Sequence, residues 1–114
     1  MHELSIAMSL MEIIEEECRK NQVKKVRKVK VVVGEMAGIV PDSLKFSFEV
    51  VSQDTVADGA ELELEVRPVT ALCQDCSEEF VVEEFRFRCP KCGSRNAKRL
   101  GGDELYIDYI ETDD

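Results

Sequence analysis

The first twenty residues carry apolar side chains at the spacing of an α-helix. The stripe returns every three or four residues, which predicts a helix over about 3–20 with one broad buried face. Cys18 lies on that face, so we expect it to be a thiol of the hydrophobic core. The stripe consists of Leu4, Ala7, Met8, Met11, Ile14 and Cys18, and Ile6, Leu10 and Ile13 widen it.

A second helix is predicted over about 41–53. Pro41 suits the first position of a helix, because its missing N–H would have no partner there. Leu44, Phe48 and Val51 then recur on one face. Between the two helices, seven basic residues occur in twelve, from Arg19 to Lys30. This run could bind an acidic partner, but a solvated helix end and strand face explain it more simply.

Three further segments alternate apolar and polar side chains, which predicts half-buried β-strands. Gly34 ends the first, the second ends near Pro68, and Gly101 and Gly102 precede the third. The simplest fold is α/β, with two helices packed on a small three-stranded sheet. The apolar members are Val29, Val31 and Val33, then Leu62, Leu64 and Val66, then Leu105, Ile107 and Tyr109.

Four of the five cysteines form two CxxC pairs, CQDC at 73–76 and CPKC at 89–92. Two such turns can direct four thiolates at one tetrahedral zinc ion. The ligands would be Cys73, Cys76, Cys89 and Cys92. Four cysteines leave no position for water or substrate, so the zinc would be structural. We therefore predict a zinc-ribbon-like module at 70–100, with short strands in FVVEEFRFR, inserted into a domain formed by 1–69 and 101–114.

Composition narrows the remaining function classes. The formal net charge of −9 and the absence of a long apolar run argue against a nucleic-acid surface and a membrane span. The acidic start of the chain does not resemble a signal peptide, so we expect a cytoplasmic protein. A nucleic-acid-binding zinc ribbon is the first alternative, because six basic residues lie near Phe85 and Phe87. These are Arg86, Arg88, Lys91, Arg95, Lys98 and Arg99. Redox cycling of the two CxxC pairs is disfavoured by nearby acidic residues.

An enzyme is a further alternative with little support. His2 is the only histidine among 114 residues, so no second imidazole can act as a base. Nor does the chain contain a phosphate-binding glycine loop. We therefore expect a binding protein and not a catalyst.

The position of His2 needs its own explanation. Residues at a terminus are commonly disordered and without function. However, a terminal amine, backbone nitrogens and a nearby imidazole can together chelate a square-planar Ni(II) or Cu(II) ion. Glu3 could add an oxygen donor or orient the imidazole, or it could simply interact with the helix dipole. The residues alone leave these interpretations open.

Taken together, MHELSIA at the start, GEMAGIVPDSLKFSFEVV in the middle and the cysteine pairs ending in CPKCGS resemble the HypA/HybF family. These proteins are nickel metallochaperones of NiFe-hydrogenase maturation. The resemblance covers nearly the whole chain. It implies that Met1, His2 and Glu3 hold nickel that is transported, and that the four paired cysteines hold structural zinc.

The resemblance also implies partners. These are a companion GTPase of the nickel-insertion pathway and the hydrogenase large subunit. Some members serve urease as well, so urease accessory proteins are further candidates. The sequence leaves both a monomer and a homodimer open. Unlike some relatives, this chain has no histidine in the zinc module, so a nickel ligand from that module would need another residue type.

Overall fold

The computed structural model describes residues 2–113, which contain two α-helices and six β-strands. A short 3-10 helix, Glu35–Ala37, follows the first strand. The helices are α1 (His2–Lys20) and α2 (Pro41–Val51). The strands are β1 (Val26–Gly34), β2 (Glu61–Arg67), β3 (Val69–Cys73), β4 (Glu79–Val82), β5 (Ala97–Gly101) and β6 (Leu105–Thr112).

Helix α1 matches the predicted range but buries a narrower stripe than its pattern predicts. Ala7 and Ile14 are fully buried, and Cys18 is only 4% exposed, which confirms it as a core thiol. Met8 and Ile13 are instead half exposed. Arg19 and Lys20 occupy the last turn, where positive charge interacts favourably with the helix dipole.

Helix α2 begins at Pro41 as predicted and ends two residues earlier than expected, at Val51. Leu44 and Phe48 are its buried apolar side chains. The backbone N–H of Ser52 donates to the carbonyl of Phe48 at 2.9 Å and closes the last turn. The two predicted helices are thus both present.

The three predicted strands form one sheet in the order β2-β1-β6, with β1 in the centre. The second half of β1 is buried without interruption, whereas its first half alternates with basic residues. On the edge strands the predicted alternation is wrong in part. Val66 in β2 is 49% exposed, and Leu105 and Tyr109 in β6 are each 41% exposed. An edge strand has only one strand neighbour, so its side chains are covered less completely.

Basic residues of β1 pair with acidic residues of the two edge strands. The Lys28 ammonium lies 3.2 Å from the Glu63 carboxylate. Lys30 lies 3.1 Å from Glu65 and 3.9 Å from Asp108. Lys28 and Lys30 are thus paired with carboxylates within the fold, which accounts for this part of the basic run without an acidic partner.

A second sheet, in the order β4-β3-β5, was not predicted. Strand β3 is antiparallel to both neighbours, with Ala71 opposite Phe80 in β4 and opposite Arg99 in β5. Of the region FVVEEFRFR, where short strands were predicted, only the first three residues lie in a strand, which is β4 (Glu79–Val82). Glu84 and Phe85 follow in the left-handed conformation, with φ of 52° and 59°, which ends the strand.

The chain divides into two compact units. One contains both helices and most of β1, β2 and β6, and its core is formed by side chains such as Ile14, Val29 and Phe48. The other comprises Val33–Gly38 and Val66–Leu105, which includes the segment 70–100. Among residues 2–113, neither helix combines the length and apolar character that a bilayer crossing requires.

Candidate metal centre

The structure brings the four paired cysteines together at one end of β3. Their Sγ atoms all lie within 4.8 Å of one another. Two of these contacts join the two CxxC turns, with 3.6 Å from Cys73 to Cys92 and 3.6 Å from Cys76 to Cys89. Strand β3 supplies Cys73 as its last residue, and the turn that follows supplies Cys76.

The cluster has the dimensions of a tetrahedral thiolate site. Zinc–sulfur bonds of about 2.3 Å place the corners of a regular tetrahedron roughly 3.8 Å apart. The two 3.6 Å separations lie close to that value, and every other sulfur pair lies within 4.8 Å. The two separations are also far longer than a disulfide bond of about 2.05 Å. The donor set therefore fits a zinc ion and not a pair of disulfides.

Both CxxC turns have the same backbone geometry. In the first, Ser77 N donates to the Cys73 carbonyl at 2.9 Å, and in the second Gly93 N donates to Cys89 at 2.9 Å. Ser77 and Gly93 each have positive φ, of 64° and 76°. Such turns aim backbone N–H groups at the sulfur atoms, which stabilises the thiolate form.

These contacts make two of the thiols very different in acidity. The N–H of Glu78 lowers the pKa of Cys76, but burial and the neighbouring sulfur atoms outweigh it and raise that pKa to about 12. Burial raises the pKa of Cys89, but the N–H groups of Cys92 and Lys91 outweigh it and lower that pKa to about 7. A bound dication would favour the thiolate form of all the ligands.

The sulfur cluster is buried on one side and open on the other. Cys73 and Cys89 are 0% and 2% exposed and belong to a small apolar core with Ala71, Phe80 and Val82. Cys92, in contrast, is exposed. Solvent and competing ligands therefore reach the cluster from the side of Cys92.

The amino-terminal candidates occupy a different place in the fold. His2 is exposed and begins α1, whereas Met1 lies outside the described residues. One carboxylate oxygen of Glu3 accepts a hydrogen bond from Val40 N at 3.3 Å. That N–H, and then the N–H of Glu3 itself, hold the pKa of this carboxyl below its usual value.

The Glu3 contact was not foreseen from the sequence. Val40 is the residue that precedes α2, and no side chain of its own segment caps that helix. The Glu3 carboxylate thus lies where the positive ends of α1 and α2 both favour negative charge. Two residues 37 positions apart make this bond, and no local spacing rule predicts such a contact.

The basic side chains of the cysteine unit are in part paired. Arg86 lies 3.2 Å from Glu84, and Arg99 lies 3.1 Å from Asp103. Arg88 donates from Nε to the carbonyl of Gly93 at 3.3 Å. Paired guanidinium groups have less free charge for phosphate, so the geometry gives the nucleic-acid alternative no added support.

Comparison with known proteins decides the family. The family model described as "Hydrogenase/urease nickel incorporation, metallochaperone, hypA" matches residues 1–112. The chain belongs to the HypA family. HypA proteins are metallochaperones that act as maturation factors, and they are not enzymes. The predicted family and fold class are thereby confirmed.

Curated relatives and solved structures agree with this assignment. Hydrogenase maturation factor HypA of Alkalilimnicola ehrlichii is 44% identical over 113 residues, which are 99% of this chain and 100% of that one. The same factor from Caldanaerobacter subterraneus is 42% identical over 116 residues, again covering 99% and 100%. The solution structure of the nickel metallochaperone HypA from Helicobacter pylori has a TM-score of 0.67 and 29% identity, with 96% of each chain covered. A second HypA solution structure has a TM-score of 0.73 and 31% identity, with 98% and 96% covered.

Proposed function

We propose that this chain binds Ni(II) at its amino terminus and delivers it for the maturation of NiFe-hydrogenase. Membership of a nickel-incorporation family supports the nickel cargo, and the names of the similar relatives support hydrogenase maturation. The observation that carries the proposal is the placement of His2. The single imidazole of the chain is exposed, one residue from the terminal amine, at the first turn of a well-formed helix.

The proposed nickel site consists of Met1, His2 and Glu3. The amine and backbone nitrogens of Met1 and His2, with the imidazole, form the nitrogen donor set that suits square-planar Ni(II). An exposed terminal site can present its ion to a recipient, as a carrier must. Glu3 would add an oxygen donor or orient the imidazole, or it would only interact with the helix dipole. Its bond to Val40, the residue before α2, supports the last of these roles.

We further propose that Cys73, Cys76, Cys89 and Cys92 hold structural zinc. Four sulfur donors at tetrahedral spacing support this assignment. Residues 70–100 would form the zinc-binding module, and 1–69 with 101–114 the nickel-binding domain. A module of this size has a small core, so zinc would supply much of its folding free energy.

The expected partners follow from the proposed role. A companion GTPase of the nickel-insertion pathway and the hydrogenase large subunit are the first two, and all three proteins would meet in the cytoplasm. The family description also includes urease, so urease accessory proteins are a second group of candidates. Monomer and homodimer are both compatible with an exposed terminal site.

Calorimetric nickel titration of zinc-loaded protein tests the proposal. The protein must carry its native, untagged amino terminus, because a tag or acetyl group would block the amine. Wild type should bind about one nickel per chain, and His2→Ala should lose that site. Glu12→Ala, an exposed change further along α1, is the matched control and should bind as wild type does.

The pH dependence gives an independent readout. Both the terminal amine and the imidazole must lose protons to coordinate nickel. Affinity should therefore fall steeply from mildly alkaline to mildly acidic pH. Equal binding by wild type and His2→Ala, or a flat pH profile, would contradict the terminal-nitrogen site. The chain would then be a zinc-stabilised interaction module.

A further inference from the structure

Hydrogen bonds beyond the four sulfur atoms connect the two CxxC turns. Asp75 lies inside the first turn, and its carboxylate accepts a hydrogen bond from the Ser94 hydroxyl. Its other oxygen accepts from Nδ2 of Asn96 at 3.2 Å. The backbone N–H of Asn96 in turn donates to the Ser94 hydroxyl at 3.0 Å. These three residues form a closed network, called here the Asp75 clamp.

Ser94 links this clamp to both cysteines of the second turn. Its backbone N–H donates to the sulfur of Cys92. Its carbonyl accepts from the backbone N–H of Cys89 at 2.9 Å. A displacement of Ser94 would therefore disturb both sulfur ligands at once, and Asp75 is the side chain that holds the Ser94 hydroxyl.

The first turn has the same backbone contacts without the clamp. Glu78 occupies the equivalent position, where its N–H donates to the Cys76 sulfur and its carbonyl accepts from Cys73 N at 2.8 Å. The clamp thus secures the turn that contains the exposed Cys92, the side from which competing ligands approach.

We infer that Asp75 is a positioning residue that holds the Cys89–Cys92 turn in place and thereby slows the loss of zinc from the cysteine cluster. The inference rests on the proposed zinc site. Zinc leaves such a site as ligands detach one after another, and the exposed Cys92 can be reached first. Detachment of Cys92 requires movement of the residues that follow it, and the clamp opposes that movement.

The size of the effect follows from the behaviour of outer-shell partners in metal sites. Removing such a partner typically reduces metal affinity by about 10-fold to 100-fold. Asp75→Ala removes both acceptor oxygens, so zinc release should accelerate by at least about 10-fold. Asp75→Asn keeps one acceptor oxygen and should lie between Asp75→Ala and wild type.

The test measures zinc release from the full-length chain after addition of excess 4-(2-pyridylazo)resorcinol, which reports free zinc by its colour. Release is followed well below the unfolding temperature, so that global stability does not set the rate. Ser94→Ala should also accelerate release. The double variant Asp75→Ala/Ser94→Ala should release zinc more slowly than the product of the two single effects predicts, because both changes remove the same bond.

Glu79→Ala is the matched control. It removes an equal charge from an exposed position in the same unit, at the start of β4. Glu79→Ala should release zinc at the wild-type rate. An equal acceleration by Glu79→Ala would show a charge effect and overturn the clamp.

Two further outcomes separate the clamp from the zinc site itself. If wild type purifies with about one zinc per chain and Asp75→Ala releases it at the wild-type rate, the clamp is wrong and the zinc site stands. If wild type contains no zinc and takes none up, the proposed zinc site is wrong, and the inference that rests on it is wrong as well. If Asp75→Ala does not fold, the zinc release rates of Asp75→Asn and Ser94→Ala decide the question. The Co(II) absorption spectrum should stay that of a tetrahedral thiolate site in each variant.

Discussion

Gly34 lies where two backbone segments of the cysteine-containing unit come very close, and a methyl group there should be strongly destabilising. A Cβ atom at Gly34 would lie 2.1 Å from the carbonyl oxygen of Gly102 and 2.6 Å from Asp103 N. Neither neighbour is a flexible side chain that could turn away. Gly34 itself has φ of −82°, so an alanine there meets no backbone strain of its own.

The size of the destabilisation follows from the backbone displacement that an added Cβ at Gly34 would require. Real contacts of this kind do not come below 3.0 Å, so the Gly102 backbone must shift by about 0.9 Å. That shift opposes two hydrogen bonds, from Gly34 N to the Glu104 carbonyl at 2.8 Å and from Met36 N to the Gly102 carbonyl at 2.6 Å. Two bonds at about 1 kcal/mol each and overpacking of about 1–3 kcal/mol give a loss of roughly 3–5 kcal/mol in unfolding free energy.

Urea denaturation of zinc-loaded protein, followed by far-ultraviolet circular dichroism, measures this loss. Gly38→Ala is the control, because Gly38 has φ of 69° but nothing lies within 4 Å of its added Cβ. Left-handed strain alone should cost it about 1–2 kcal/mol. If Gly34→Ala destabilises no more than Gly38→Ala does, the close approach at Gly102 is wrong.

Two further predictions concern the cysteine unit. Gly93→Ala should destabilise by about 1–2 kcal/mol through positive φ alone, since the nearest atom to its added Cβ is Arg88 Nη2 at 3.7 Å. Ser77→Gly, at the equivalent position with φ of 64°, should be neutral or stabilising. Urea denaturation measures both variants, and a Ser77→Gly protein less stable than the Gly93→Ala protein would contradict the shared turn geometry. The hydrogen bond and charge of Arg99 lower the pKa of Asp103, so this carboxylate contributes stability above its unfolded pKa, and that contribution is lost as the pH falls. Asp103→Asn should therefore weaken the acid dependence of the unfolding free energy between about pH 5 and pH 2, and an unchanged profile would show that the pair contributes nothing.

The cysteine cluster could be predicted because its determinants are local. A two-residue gap between cysteines fixes the turn, and two such turns leave one compact way to combine four thiolates. Helix α1 and the start of α2 were predictable for a similar reason. The repeat of apolar residues and the placement of Pro41 depend only on nearby positions.

Strand β4 begins in the region where short strands were predicted, but the second sheet as a whole could not be predicted, because β5 lacks a local signal. Strand β5 reads AKRLG, with two adjacent basic residues and exposed side chains from Lys98 to Leu100. It is a strand because its backbone pairs with β3, some thirty residues earlier in the chain. Strand pairing of this kind is a property of the tertiary structure and not of alternation.

The hydrogen bonds that join the candidate site residues to distant parts of the chain could not be predicted from the sequence either. Asp75 is one of the acidic residues near the thiols, and its carboxylate joins Ser94 and Asn96 about twenty residues away, which no local pattern predicts. Glu3 likewise contacts a residue far along the chain, at Val40. Spacing identifies which residues can act as metal ligands, and the fold decides which residues orient them.

The central claim is that terminal nitrogen atoms hold the nickel, and acetylation of the terminal amine tests it without altering any side chain. An acetyl group on the Met1 amine removes that nitrogen as a donor, whereas His2 and Glu3 are unchanged. After nickel loading at mildly alkaline pH and gel filtration, the native protein should retain about one nickel per chain, and the acetylated protein should lose it while keeping zinc. Equal nickel retention by both proteins would contradict the terminal site.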